Sequence, residues 1–225
     1  MNFLSHFYFD RYTGDSLMVT GTVLPDLIKN AKKEWNIRPE KNSENFSTDK
    51  NLSTILKGWN RHLAVDRIFH CSDFFLKHSA AIRVAIAPVL AGSSAKPFFV
   101  AHIALEIMLD SLLLTESILG TDRFYSHLKS ADRNAINRFL QLNKISETDI
   151  FFKFFDEFIE AAYLNNYRDP GNIIYSINRI CMRLWPSSFN ETQKLQLTAI
   201  LFDYREILKA AFMDIFNDIE QLLNS

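Results

Sequence analysis

The sequence has few of the residues that interrupt or cross-link a chain. Among 225 residues there are 6 Gly, 6 Pro and 2 Cys. So few Gly and Pro residues favour long helices over many short strands joined by tight turns. The two cysteines, Cys71 and Cys181, are too few for a disulfide framework and lack the spacing of a metal site. We therefore expect a protein of a reducing compartment, held together by its core.

Strong net charge and an obvious targeting or membrane segment are also lacking. The formal net charge is −1, so no global attraction to nucleic acid or to an anionic membrane is expected. The opening MNFLSHFYFDRY carries His6 and Asp10 where a signal peptide would be apolar. No uninterrupted apolar run reaches the length of a membrane span, about 18 residues. These absences predict a soluble, cytoplasmic protein without a nucleic-acid partner, and they leave the oligomeric state open.

Apolar sequence with helical periodicity is what the chain has in abundance. Hydrophobic residues make up 48% of it and Phe alone supplies 20 residues, enough for a sizeable core. No alternation is long enough to build a sheet, so we predict one all-α domain over residues 1–225 with a polar loop at 32–51. The start and stop signals predict helices at about 2–10, 15–31, 53–89 with a break near Ser72, 97–118, 122–141, 147–166, 170–184 and 190–223.

The segment RHLAVDRIFH places His62, Asp66 and His70 four residues apart. On a helix, residues four apart point in nearly the same direction, and from His62 to His70 the direction changes by only about 80°. The three side chains therefore form one stripe. Neighbouring imidazole and carboxylate groups at this spacing can reach a common metal ion. His62 and His70 are about 12 Å apart along the axis, so His70 would bind a second ion, contact a phosphate or support another ligand. A solvated helix face is the alternative, because Arg61 and Arg67 lie beside the stripe.

A second stripe repeats this spacing in FFVAHIALEIMLDSLLL, where His102, Glu106 and Asp110 lie four residues apart. Apart from Ser111 they are the only polar side chains of residues 97–114, and a helix that is apolar nearly all round is expected to be buried. Burying these groups without partners would cost several kcal/mol. A bound metal, cations from other helices or a polar network in the core would each supply such partners.

Two further residues in apolar surroundings, His6 and Asp26, complete a candidate ligand set. On its own each has an ordinary explanation, a satisfied core histidine and a helix-start aspartate. Together with the stripes they make a mixed imidazole and carboxylate set that suits Mn²⁺, Zn²⁺ or Fe²⁺. The absence of Cys favours a catalytic phosphoester site over a structural zinc site. The remaining histidines, His78 and His127, have polar neighbours and are predicted to lie at the surface.

Other catalytic signatures are lacking in the sequence. There is no Gly-rich phosphate loop, no Ser in a nucleophile elbow and no basic patch interleaved with aromatic residues. The aromatic run FFKFFDEFIEAAY at 151–163 has helical spacing. We predict that it belongs to the core or lines a hydrophobic groove for a partner.

Several short motifs, in order along the chain, resemble the markers of the acyl-carrier-protein phosphodiesterases. They are MNFLSHFYF, GTVLPDLIKN, GWNRHLAVD, LEIMLDSLL and YLNNYRD, and LTAILFDYREILKAAFMDIFNDIEQLL resembles the family's C-terminal segment. The likeness runs over most of the chain, from residue 1 to about residue 220, apart from the loop at 32–51. It implies an all-helical, metal-dependent phosphohydrolase related to the HD-domain type. Such enzymes use a metal-activated water, typically with Mn²⁺, to release 4'-phosphopantetheine from holo-acyl carrier protein.

The family's metal-site positions can be carried over where this chain matches its motifs. The matching residues are His6, Asp26, His62, Asp66 and Asp110.

The chain departs from the family at three positions. His70 stands where the family usually has Asp, Ser111 where it usually has His, and Tyr8 occupies its second tyrosine-or-histidine position. His102 and Glu106 resemble instead the zinc-dependent phospholipase C type of helical hydrolase.

Together these observations predict a metal-dependent phosphodiesterase. Asp66 and His70 are the predicted catalytic residues, and guanidinium groups of Arg61 and Arg168 are predicted to bind the phosphate. The predicted metal ligands are His6, Asp26, His62, Asp66, His102, Glu106 and Asp110, with Mn²⁺ preferred over Zn²⁺ or Fe²⁺. Basic residues of 29–33 and 38–41 are predicted to dock acyl carrier protein. The alternatives are another metal phosphohydrolase, acting on a phospholipid or small phosphoester, and a non-catalytic helical binding protein.

Overall fold

Helices account for the regular structure of residues 1–185 and 189–224, which the computed structural model describes, and this part of the chain contains no strand. The predicted all-α class is confirmed, and the HD-like type stays a prediction. Two 3₁₀ helices occur at Pro39–Phe46 and Tyr163–Arg168. The α-helices are α1 (Phe3–Tyr8), α2 (Ser16–Ala31), α3 (Lys50–Cys71), α4 (Asp73–Ile86), α5 (Pro97–Thr115), α6 (Thr121–Ser130), α7 (Arg133–Leu142), α8 (Thr148–Ala161), α9 (Asn172–Cys181), α10 (Glu191–Lys209) and α11 (Phe212–Asn224).

Capping side chains explain several predicted helix boundaries. The hydroxyl of Ser72 accepts a hydrogen bond from the backbone N–H of Phe75 at 3.1 Å, so the break predicted near Ser72 is confirmed. Asn190 and Gln193 form a capping box at the start of α10, which confirms Asn190 as a start signal. Pro97 is the first residue of α5, where its missing N–H costs no hydrogen bond.

Two of the predicted helices are wrong in detail. The helix predicted at 122–141 is two helices, because Asp132 caps α7 by accepting hydrogen bonds from two backbone N–H groups. The helix predicted at 190–223 ends at Lys209 and a new one begins at Phe212. The predicted polar loop at 32–51 stays a prediction; the segment contains a 3₁₀ helix that ends on Phe46, a side chain only 1% exposed.

The described chain divides into two units by its internal contacts. The α2–α3 unit consists of His6–Asp66 and Leu119–Leu164. The α4–α5 unit consists of Met1–Ser5, Arg67–Ile118 and Asn165–Ser225. The prediction of one domain over residues 1–225 stays a prediction.

Close packing of backbones marks the core of the α2–α3 unit. A Cβ atom at Gly58 of α3 would lie 2.6 Å from the backbone nitrogen of Thr22, and one at Gly21 of α2 would overlap the carbonyl of Ile55. Only glycine therefore permits α2 and α3 to approach so closely at this point. The same unit buries Phe151, Phe155 and Phe158 of α8, so one face of the 151–163 run is core, the first of the two predicted alternatives.

The apolar helix α5 is the centre of the α4–α5 unit and packs against α4, α9 and α10. Arg205 of α10, a buried side chain, donates a hydrogen bond to Ser111 Oγ at 3.1 Å and another to Thr115 Oγ1. Of the described helices, α5 alone has the length and composition to cross a membrane. In its most apolar stretch of 18 residues, 67% is buried inside the structure. This burial agrees with the core helix predicted from its sequence.

Candidate metal centres

Three predicted ligands, His6, His62 and Asp66, come together in the α2–α3 unit and are called the first triad. Helix α1 supplies His6, and α3 supplies the other two at i and i+4. Nε2 of His6 lies 3.2 Å from Oδ1 of Asp66, and Nε2 of His62 lies 3.5 Å from Oδ2. One ligand atom from each residue lies within 4.8 Å of the others. The three side chains can therefore bind one ion together.

A backbone carbonyl selects the tautomer of His62. Its Nδ1 lies 2.9 Å from the carbonyl oxygen of Thr22. Because a carbonyl can only accept, Nδ1 carries the proton and the neutral ring keeps its lone pair on Nε2. That lone pair is on the nitrogen nearest Asp66, where it would repel a carboxylate oxygen unless a cation lay between them. A histidine oriented by a backbone carbonyl is the usual arrangement of metal-binding histidines.

His6 is a fully buried imidazole that stacks on His62, with ring centroids 3.9 Å apart and planes inclined by 16°. Its Nε2 is close to Asp66 but not aligned for hydrogen bonding. Neither ring nitrogen has a hydrogen-bond partner among residues 1–185 and 189–224. Burial and the nearby His62 lower the pKa of His6 to about 3, so its ring is neutral. A buried unpaired polar group costs about 1–3 kcal/mol, which binding to an ion would offset.

Asp66 supplies the negative charge of the first triad. Burial by itself would raise its pKa, but the side-chain interaction with His6 is the largest of the effects that oppose burial, and the pKa lies well below the usual range. The carboxylate is therefore ionised at neutral pH. Its side chain is 31% exposed, so the triad is open to solvent on this side.

A second triad, His70, His102 and Glu106, lies in the α4–α5 unit. Nε2 of His70 and Nε2 of His102 lie 3.3 and 3.0 Å from the same oxygen, Oε1 of Glu106. The ring of Phe75 packs edge-on against both imidazoles, with centroids 4.9 and 5.0 Å away. The amino group of Met1 is 3.1 Å from Oε1 as well. Burial would raise the pKa of Glu106, but that amino group and the two histidines lower it well below its usual value.

The other two predicted ligands belong to neither triad. Asp110 is fully buried, and its carboxylate accepts hydrogen bonds from the backbone N–H groups of Leu4 and Ser5 at 3.1 and 2.8 Å and from Ser5 Oγ at 2.6 Å. Its observed partner is thus the start of α1. Asp26 is half-buried on α2, one turn beyond Thr22. For both residues a role as metal ligand stays a prediction.

The two arginines predicted to bind phosphate are far apart in the sequence and lie in different units. Arg61 precedes His62 on α3, is half-buried, and has Nη1 4.0 Å from Oδ1 of Asp10. Arg168 is exposed at the end of the 3₁₀ helix Tyr163–Arg168 and belongs to the α4–α5 unit. Only Arg61 therefore shares a unit with the first triad.

Comparison with known proteins gives no match. No family model, no curated protein and no solved structure is similar to this chain at a significant level. The resemblance to acyl-carrier-protein phosphodiesterases stays a prediction, and function is inferred below from the geometry of the sites.

The predicted surface position of His78 and His127 is wrong, since both side chains are buried. His78 Nδ1 lies 2.9 Å from the hydroxyl of Tyr204, and His127 Nδ1 lies 3.1 Å from Oγ of Ser16. His78 lies on the inward face of α4 and His127 on the inward face of α6, and both helices are amphipathic. The polar residues next to each histidine in sequence belong to the outward face. Sequence reasoning also missed Thr22, because a backbone carbonyl carries no sequence signal; the only local indication is the adjacent Gly21.

A groove of about 250 Å³ in the α2–α3 unit is called the tryptophan groove. Trp35, Trp59 and Leu63 are among its apolar lining residues, and Lys29 and Arg38 add positive charge. The indole N–H of Trp59 donates a hydrogen bond to Glu40 at 3.1 Å, which ties the 3₁₀ segment to α3. Leu63 follows His62 directly, so the groove and the first triad share a stretch of α3.

Proposed function

We propose that this protein is a divalent-metal-dependent phosphodiester hydrolase with the first triad as its metal centre. The observation that carries the proposal is the orientation of His62 by Thr22, which places Nε2 of His62, stacked on His6, next to an ionised Asp66. Two imidazoles and a carboxylate suit Mn²⁺, Zn²⁺ or Fe²⁺. Three protein ligands with solvent access are typical of catalytic sites, which keep a position open.

The residues around the first triad have distinct roles in this proposal. A bound divalent ion would supply an acidic water and neutralise charge on the phosphoryl oxygens. Thr22 holds the ring of His62 in one tautomer, and Asp26, one turn further along α2, is the candidate for a fourth ligand. Arg61 is the candidate for orienting the phosphate, because it shares a unit with the first triad and its guanidinium group forms a fork that matches phosphate oxygens.

For the substrate, we infer the phosphodiester of holo-acyl carrier protein, as the sequence resemblance implies. The tryptophan groove supports this choice, since its apolar walls suit an extended arm and Lys29 and Arg38 suit anionic groups. Lys29 and Arg38 also fall within the basic segments predicted to dock the acidic carrier protein. Mn²⁺ is the preferred metal on the same resemblance. A phospholipid or a small phosphoester is the second candidate substrate, because the groove would accept an acyl chain equally well.

The test combines metal analysis with two assays. Protein purified without chelator is first analysed for bound metal by elemental mass spectrometry. Its activity is then measured on bis(p-nitrophenyl) phosphate, a generic phosphodiester. A second assay uses holo-acyl carrier protein and follows the loss of phosphopantetheine by mass spectrometry. In Asp66→Asn we expect the metal of the first triad to be lost and both activities to fall by at least about 100-fold, since a neutral amide is a poor metal ligand. Asp203→Asn, at an exposed position of α10, is the matched control and should keep metal and activity.

Each outcome decides between the candidate functions. Unchanged activity in Asp66→Asn contradicts the proposed centre. Turnover of the generic diester without any loss of phosphopantetheine rejects the carrier-protein substrate and supports the second candidate. Bound metal without turnover of either substrate supports a non-catalytic binding protein.

A further inference from the structure

We propose that the second triad is a zinc site of its own, separate from the metal centre of the first triad. Ligands about 2.0 Å from a tetrahedral Zn²⁺ are separated from each other by about 3.3 Å. The separations found here are 3.3 Å between His70 Nε2 and Glu106 Oε1 and 3.0 Å between His102 Nε2 and the same oxygen. Two of the three separations thus match those of zinc ligands, and one ligand atom of each residue lies within 4.8 Å of the others.

The two triads share no residue and no unit. His70, His102 and Glu106 all lie within Arg67–Ile118, in the α4–α5 unit, whereas the first triad lies within His6–Asp66. Helix α3 contributes to both, with His62 and Asp66 to one and His70 to the other. Each ligand set is complete by itself, so occupancy of one does not require the other. The inference consequently does not depend on the first triad being catalytic.

Two imidazoles and an amino group directed at one carboxylate oxygen form an unusual cluster. A purely hydrogen-bonded explanation requires both rings to carry their proton on Nε2, with three donors on Oε1 of Glu106. A zinc ion instead takes the lone pair of each Nε2 and one lone pair of the carboxylate. The amino group of Met1 partly balances the charge of Glu106, so zinc must compete with this contact. We therefore expect weaker zinc affinity here than at the first triad.

The second triad has access to solvent through His102. This side chain is 40% exposed and also lines a groove of about 340 Å³ between α4 and α5. Phe75, Leu76 and Phe98 give the groove apolar walls, and Arg83 adds one positive charge. Zinc with three protein ligands and solvent access keeps a position for water or an anionic group. Arg83 would favour the anion.

The experiment is a zinc titration of chelator-treated, dialysed full-length protein, read by elemental mass spectrometry and calorimetry. We expect two zinc equivalents in the wild type and one in either His102→Ala or Glu106→Gln. His78→Gln removes an imidazole from the same unit outside the triad and should keep two equivalents. Asp66→Asn should lose only the zinc of the first triad, and Asp66→Asn combined with His102→Ala should bind none. Cobalt loaded into Asp66→Asn should show the visible absorption of a tetrahedral site.

Two results would overturn the inference. One is retention of two equivalents in both His102→Ala and Glu106→Gln; the other is a wild type that binds a single equivalent, lost in Asp66→Asn. If Glu106→Gln fails to fold by circular dichroism, His102→Ala decides, because its side chain is partly exposed. Failure of the proposed catalytic centre is read separately, from the activity of Asp66→Asn.

Discussion

Single buried carboxyl groups behave differently in this protein according to what surrounds them. Burial acts on both Asp66 and Asp110 by raising the pKa. At Asp66 the neighbouring imidazoles reverse the shift, whereas at Asp110 the hydrogen bonds from Ser5 and Leu4 oppose burial without overcoming it, and the pKa is raised to about 7. Asp110 binds the start of the short helix α1, which carries His6 one residue beyond Ser5. Its observed structural role is thus to hold Leu4 and Ser5 at the start of α1.

The raised pKa of Asp110 predicts a pH-dependent stability. At pH values between 3.8, the ordinary pKa of an aspartate side chain, and about 7, Asp110 holds a proton in the folded protein that it has lost in the unfolded chain. The free energy of unfolding should therefore fall as pH rises through this window and stay constant above it. The expected fall is about 1.4 kcal/mol for each unit by which the folded and unfolded pKa values differ. In Asp110→Asn this component of the slope should vanish. The variant should also lose about 1–3 kcal/mol at pH 7.5, where Asp110 is a carboxylate, because an amide NH₂ cannot accept from the N–H groups of α1.

Urea unfolding of chelator-treated protein from pH 4.5 to 7.5 measures this prediction. Asp203→Asn, an exposed carboxyl exchanged in the same way, should follow the wild-type slope. An Asp110→Asn variant with the wild-type slope would show that Asp110 titrates normally.

At the scale of helices, the pair Gly21 and Gly58 determines how closely α2 and α3 approach. Thr22 directly follows Gly21, and His62 lies one turn after Gly58 on α3. The hydrogen bond that orients His62 thus forms beside the point of closest backbone approach. Local packing of two helices is what selects the tautomer of a candidate metal ligand.

Gly58→Ala tests this connection. Its added Cβ would lie 2.6 Å from the backbone nitrogen of Thr22, so the helices must separate, at a cost of about 1–3 kcal/mol in the free energy of unfolding. The hydrogen bond between His62 and Thr22 should weaken, and the metal affinity of the first triad should fall by about 10-fold or more. Thermal unfolding and metal titration measure the two effects. Gly14→Ala is the control, because no atom lies within 4 Å of a Cβ there; equal behaviour of the two variants would reject the role of the glycine pair.

The helix-level features differ in how far the sequence could predict them. Boundaries set by a local cap, such as Ser72 and Asn190, were predictable because the capping side chain and its partner are three residues apart. Ligand pairs at i and i+4 on one helix were predictable for the same reason. The third member of each triad comes from another helix, and its assignment depends on tertiary packing. Asp110 shows the consequence: it lies on the stripe of His102 and Glu106, but its observed partners are backbone groups of α1.

For the whole molecule, the division into two units gives each triad its own supporting structure. Two of the boundaries fall inside α-helices, between Ser5 and His6 in α1 and between Asp66 and Arg67 in α3. The residues on the α2–α3 side of these boundaries, His6 and Asp66, are ligands of the first triad. An ion bound there joins two distant points of one unit's chain. Its binding free energy should therefore add to the stability of the folded state.

Metal removal should accordingly lower the melting temperature in two separable increments. Zinc at 100 times the dissociation constant of a site stabilises the folded state by about 2.7 kcal/mol. For a chain of this length that corresponds to roughly 5–10 °C per site. Zinc-loaded and chelator-treated proteins are compared by differential scanning fluorimetry. Asp66→Asn and His102→Ala should each lose one increment and their combination both, because ligand sets without shared residues contribute independently. Equal melting temperatures with and without zinc in the wild type would contradict metal binding at either triad, and loss of the whole shift in one single variant would show that the triads are coupled.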